Sequence, residues 1–142
     1  MTTRYVGIDF GEKRIGLAVG DDGGAIATPI GMIAAAGDDA GRVRDVILAA
    51  QSYAPDEWVV GLPLNMDGTE GPQARRVKIF AQLLGERTGQ PVHLHDERLS
   101  SFEADQHMAR TGLTHKQKKR RRDTLAAHAI LQSFLDGQRR GS

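Results

Sequence analysis

The hydrophobic period of this chain changes once, near Asp39, and that change limits the architectures open to it. Before it, apolar residues come in three short runs, Arg4–Phe10, Ile15–Val19 and Ala25–Ile33. They are separated by Gly11-Glu12-Lys13-Arg14 and by Asp21-Asp22-Gly23-Gly24, and such punctuation reads as a meander of hairpins. After it, Val43, Val46, Ile47 and Ala50 recur at helical spacing, with Asp38 or Asp39 as the N-cap. Glu57–Leu62 is then a strand apolar on both faces, closed by Pro63 and followed by the Gly-, Asn- and Asp-rich loop Leu64–Pro72. Gln73–Gly85 is a second helix with Val77, Phe80, Ala81 and Leu84 as its stripe, and Pro91–His95 is a fifth strand. Ser100 or Ser101 caps a short helix, with Glu103 at the capping-box position, and Thr114 with Gln117 opens a last helix expected to stop at Gly137. The order is βββ-α-β-α-β-α-α. It predicts an α/β fold: a five-stranded mixed sheet, three antiparallel strands and then βα units, flanked by helices.

The 142 residues suit one domain, read as 1–137 with a flexible tail over 138–142. The absence of cysteine excludes disulfides, thiolate metal sites and cysteine nucleophiles. Gly7, Asp9, Gly11 and Glu12 come too early for a signal peptide, and no apolar run approaches the roughly 18 residues that span a bilayer. A cytoplasmic protein with no membrane partner is expected. The net charge of +1 hides an asymmetry: residues 1–71 carry 5 basic and 11 acidic side chains, residues 72–142 carry 14 and 7. Six basic residues fall between Lys116 and Arg122, which directs attention to nucleic acid.

Three carboxylates stand where surface acids do not belong. Asp9 ends a strand built on Val6, Ile8 and Phe10, where a lone buried charge costs several kcal/mol unless it is paired. Glu97 follows the fifth strand in His95-Asp96-Glu97-Arg98. Asp123 sits near the middle of the apolar arc of the last helix, which spans about −60° to +80° through Ala126, Ile130, Phe134, Ala127 and Leu131. His128 and Gln132 fall on the wet side of that helix. The plainer alternatives are a turn cap at Asp9, an acidic strand end at Glu97 and a frayed first turn at Asp123.

Brought together, three such acids require a counter-charge. Oxygen ligands without cysteine favour Mg²⁺ or Mn²⁺, and two such ions about 4 Å apart form the standard apparatus for phosphodiester cleavage. Lys116, Lys118, Lys119, Arg120, Arg121 and Arg122 end beside Asp123 and are candidates to hold a phosphate backbone. Lys13, Arg14, Asn65 and Arg98 are further candidates for holding or positioning the nucleic acid. So are Arg75 and Arg76, in the first turn of a helix that follows the Gly61–Pro72 loop. His93 and His95 share a strand face and offer zinc a ligand pair with Asp96, though such pairs are more often accidents of a strand edge.

Gly7-Ile8-Asp9-Phe10-Gly11-Glu12-Lys13-Arg14-Ile15-Gly16-Leu17-Ala18 resembles the opening motif of the YqgF family, also called RuvX, within the RNase H-like superfamily. Gly61-Leu62-Pro63-Leu64-Asn65-Met66-Asp67-Gly68, Asp96-Glu97-Arg98-Leu99-Ser100-Ser101 and Asp123-Thr124-Leu125-Ala126-Ala127 agree in order with its later motifs, so the resemblance runs from about Arg4 to Phe134. It implies an RNase H-like fold with the acidic positions at Asp9, Glu97 and Asp123. It also implies a metal-dependent endonuclease that processes the 5′ end of pre-16S rRNA, or a Holliday junction resolvase acting on branched DNA. A resolvase needs two active sites and hence a homodimer, whereas an RNA nuclease can act as a monomer. A non-catalytic RNA-binding ribosome-assembly factor, with structural acids, is the alternative from another class.

Overall fold

The computed structural model describes residues 2–35, 37–99 and 115–140, with the side chains of the last helix described from residue 125 to 138. Three strands open the chain, β1 (Arg4–Phe10), β2 (Arg14–Asp21) and β3 (Thr28–Ala34). Helix α1 (Asp39–Ala50) follows, then a 3-10 turn (Gln51–Tyr53), β4 (Glu57–Leu62), α2 (Pro72–Thr88), β5 (Val92–Asp96) and α3 (His115–Arg140). The sheet order is β3-β2-β1-β4-β5. The first three strands pair antiparallel, and β1, β4 and β5 run parallel, as the meander followed by βα units predicts. The expected short helix at Ser100 or Ser101, and the cap at Thr114, lie outside the described residues.

Alternation along each strand divides the core in two. Val6, Ile8 and Phe10 of β1, Ile15 and Leu17 of β2, and Trp58 and Val60 of β4 pack against α1 and α2 through Val43, Val46, Val77, Phe80 and Leu84. On the opposite face Tyr5, Ala18 and Val59 meet Ala127, Ile130, Leu131 and Leu135 of α3. This second face is paved with small residues. A Cβ on Gly7 would come within 2.7 Å of the Leu131 Cβ, and one on Gly61 within 2.4 Å of the Ile130 Cδ1. Glycine at these positions lets α3 settle close to the sheet.

The helix ends follow local chemistry. Asp38 caps α1 by accepting the Gly41 N–H at 2.8 Å. Helix α2 passes the expected end at Gly85 and stops at Gly89, whose φ of 67° is the left-handed conformation that closes a helix. Helix α3 likewise does not stop at Gly137 but continues to Arg140, and Gly137 is not among the residues of positive φ. The Tyr5 hydroxyl reaches Gln138 Oε1 at 3.3 Å, tying this last turn to β1.

Strand β3 starts at Thr28, three residues later than expected, because Ala25 turns the chain with a φ of 55°. Gln132 then holds the segment, accepting the Ala27 N–H and donating to the Ala25 carbonyl, both at 2.9 Å. Gln132 is therefore not on the wet side of α3. Its amide takes the place of a paired strand for two backbone groups that would otherwise be left unmet. Among the described residues no helix is long and apolar enough to cross a membrane.

Candidate active site

The parallel strands β1, β4 and β5 end along one edge of the sheet, and the acids collect there. Asp9 pairs with Gly16 across β1 and β2, and alternation from Tyr5 and Gly7 places it on the α3 face. The same alternation along β5 carries His93, His95 and then Glu97 to that face. The Glu97 N–H donates to the Leu62 carbonyl at 3.1 Å, which continues the β4–β5 ladder by one bond and fixes where the side chain starts. Gly61 leaves the room it needs, since a Cβ there would lie 2.7 Å from Glu97 Oε1 and 2.8 Å from its Cγ. A glycine inside an otherwise apolar strand is the sequence signal for such a close approach.

Asp9 and Glu97 share a side-chain hydrogen bond. Burial, the neighbouring Asp9 charge and that bond, with a smaller push from Asp96, raise the Glu97 carboxyl to about 8. Near neutral pH Glu97 is thus the protonated member of an acid pair. Two carboxyls from separate strands, one buried and pressed against the other, make an all-oxygen donor set suited to a hard divalent cation in place of that proton. The third expected acid, Asp123, lies on α3 four residues before Ala127, which packs against the sheet, and its side chain is outside the described residues. Among the described residues no group of three or more His, Asp or Glu side chains converges.

Beside Asp9 an open cleft of about 380 Å³ is lined by Gly11, Glu12, Lys13, Arg14, Gly16 and Met32. Lys13 and Arg14, two of the candidates for holding or positioning the nucleic acid, therefore line the same cleft as Asp9. Arg75 and Arg76 lie in the first turn of α2, Arg75 exposed and Arg76 half-buried. Gln73 Nε2 reaches the Phe10 carbonyl at 3.4 Å and so joins this turn to the end of β1. Lys116, Lys118, Lys119, Arg120, Arg121 and Arg122 fall in the first turns of α3, where side chains are not described.

Asn65 and Arg98 are both engaged in hydrogen bonds around the loop after β4. Asn65 Nδ2 donates to Thr69 Oγ1 at 2.9 Å within its own loop. Arg98 grips Asp96 through Nε and Nη2, at 2.7 Å for the latter, and its Nη1 donates to the Met66 carbonyl at 3.1 Å. This hydrogen bonding and charge hold the Asp96 carboxyl below its ordinary range. The zinc arrangement does not form. His93 meets Glu57 at 2.6 Å, His95 meets Ser133 at 2.9 Å, and both rings pack on Phe134. Burial lowers the His95 pKa against the opposing pull of Asp96, which alternates to the other face of β5.

Fold and edge together define a class. The chain aligns over 98% of its length with Thermus thermophilus RuvC in complex with a Holliday junction substrate, covering 96% of that chain with a TM-score of 0.62 and 17% identity. The fowlpox virus resolvase, in complex with substrate Holliday junction DNA, gives a TM-score of 0.59 at 14% identity, covering 96% of this chain and 99% of that one. The fold is the RNase H-like fold of these resolvases.

Within that class the chain belongs to the RuvX family, whose model, described as "Holliday junction resolvase", matches residues 3–137. A protein of Anaeromyxobacter sp. (strain Fw109-5) named "Putative pre-16S rRNA nuclease" is 44% identical over 140 residues, covering 95% of this chain and 98% of the relative. A protein of the same name from Pelotomaculum thermopropionicum is 38% identical over 137 residues, covering 96% and 89%.

Proposed function

We propose that this protein is a divalent-metal-dependent endonuclease that cleaves structured nucleic acid, with the 5′ end of pre-16S rRNA as its substrate in the cytoplasm. The observation that carries the reading is the hydrogen-bonded Asp9–Glu97 pair at the edge where β1 and β5 end. The names of the curated relatives and the match to the RuvX family support it.

Asp9, Glu97 and Asp123 would hold the metal, Mg²⁺ or Mn²⁺, as a pair of ions. When bound, such ions supply Lewis acidity that favours hydroxide over water and offsets charge on the phosphoryl and leaving oxygens. The chain's own residues supply the rest. Glu97 would bind as a carboxylate, its proton released to solvent, and Gly61 keeps the space that carboxylate occupies. Lys13 and Arg14 hold phosphates on one side of the acids, and Arg75, Arg76 and the Lys116–Arg122 run hold them on others. Asn65 and Arg98 keep the loop after β4 in place.

The test is a cleavage assay with and without Mg²⁺ or Mn²⁺, on pre-16S rRNA leader, single-stranded RNA, linear duplex and four-way junction DNA. We expect the leader to be cut only with metal, and Asp9→Asn and Asp123→Asn to abolish cutting while binding persists. Wild-type rates in Asp9→Asn remove that residue from the mechanism. Preferential cutting of the four-way junction by a sedimenting dimer favours the resolvase reading, which the family description supports. Binding without cleavage, and no stabilisation by Mn²⁺ in calorimetry, leaves a non-catalytic RNA-binding factor.

A further inference from the structure

The loop from Leu64 to Glu70 is built to hold one apolar side chain out in solvent. Met66, at its tip, is 89% exposed. Around it the backbone is bonded on every side. The Asn65 N–H donates to the Thr69 carbonyl at 2.9 Å, the Gly68 N–H to the Asn65 carbonyl at 2.8 Å, and Leu64 bridges Glu70. Asp67 Oδ1 accepts both the Thr69 N–H and its hydroxyl, at 3.0 and 2.6 Å. Gly68 takes the φ of 87° that the turn needs. Arg98, the residue after Glu97, fastens the Met66 carbonyl to Asp96. The position of Met66 is thus set relative to the acid pair.

An exposed apolar residue alone is ordinary. A large one on a tightly bonded tip, tied to the segment that carries Glu97, is not what a plain β–α connection requires. The neighbouring Asp67 carboxylate, whose pKa its bonds to Thr69 lower, lies close to the Arg98 guanidinium that Asp96 already pairs, so the tip carries no surplus of positive charge to seat a phosphate. A nucleobase is the part of a nucleic acid that fits there, and the unbranched, polarizable Met side chain adapts to the face of any base. We propose that Met66 is an apolar wedge that packs against, and unstacks, bases flanking the phosphodiester presented to Asp9 and Glu97. The proposal rests on the reading of the acid pair as a nucleic-acid site.

The experiment uses a hairpin of the pre-16S rRNA leader with 2-aminopurine placed at successive stem positions, bound by full-length Asp9→Asn protein. Fluorescence is expected to rise at one or two neighbouring positions. The rise should be lost when Met66→Ala is added and kept with Met66→Leu, which conserves volume and apolarity. No rise at any position, or an equal rise in the Ala variant, overturns the wedge. In the otherwise wild-type protein, Met66→Ala should slow cutting of the paired strand by about tenfold or more, since unstacking a step costs a few kcal/mol. The loss should be much smaller once the complementary side is deleted, and equal losses on both substrates overturn the wedge. If the wild type cuts nothing yet the fluorescence still depends on Met66, the nuclease reading fails and the wedge stands.

Discussion

At Glu97, burial, the Asp9 charge, their shared hydrogen bond and Asp96 all push the same way, raising the carboxyl from an ordinary 4.5 to about 8. The unfolded chain releases this proton from about pH 4.5 upward, whereas the folded protein holds it until about 8. Folding thus binds a proton across that window, and the stabilisation, full at low pH, is lost as pH rises through it. Metal-free protein is expected to lose stability in urea between about pH 5 and 8, with Glu97→Gln flattening the profile. An unchanged slope in that variant would mean another group dominates. The sequence marks Asp9 as an acid out of place, because a carboxylate in a strand of Val6, Ile8 and Phe10 is costly unless paired, whereas Glu97, one of two acids at a strand end, also has a plain surface reading. Their shared hydrogen bond was not legible, since it joins residues 88 positions apart.

Helix α3 and the sheet meet through glycines, and their spacing belongs to the pair of elements together. Gly7 and Gly61 bring the helix against β1 and β4, and Gly61 also seats Glu97. Gly61→Ala is expected to destabilise the fold by about 1–3 kcal/mol, the usual cost of overpacking. It should also weaken divalent-ion binding in calorimetry, because the new methyl occupies the space of the Glu97 carboxylate. Loss of stability with unchanged metal affinity would separate the helix seat from the acid seat. The strands and the passage from an antiparallel meander to βα units followed from the change of hydrophobic period, whereas the order β3-β2-β1-β4-β5 came only from the structure. Nor did the period mark the ends of elements: α3 runs on past Gly137, and Gln132 turns inward to hold Ala25 and Ala27. A helical arc ranks side chains by apolarity, whereas an amide facing two unmet backbone groups is as well placed inside as a leucine.

Across the whole molecule, an acidic first half and a basic second half fold into one sheet with its helices, so the charge run at Lys116–Arg122 belongs to the helix that covers the acid-bearing face. If that run holds phosphates, binding of the rRNA leader must weaken with salt, by roughly 0.7–0.9 in log K per log unit of salt for each phosphate neutralised. Replacing Lys118, Lys119 and Arg121 by Ala should make that slope shallower by about 2 and weaken binding alike for different sequences. An unchanged slope would place the phosphate grip elsewhere, with Lys13 and Arg14 at the cleft beside Asp9 the next residues to test. By itself the sequence determined the α/β class, the antiparallel-then-parallel order and the family, because hydrophobic period, turn residues and short motifs are local properties that a chain carries before it folds. The tertiary structure alone decided that Asp9 and Glu97 share a hydrogen bond, that Gly61 makes room for Glu97, and that Arg98 braces Met66 and Asp96. Each of those is a distance between remote segments, and only the packed sheet and helix set it.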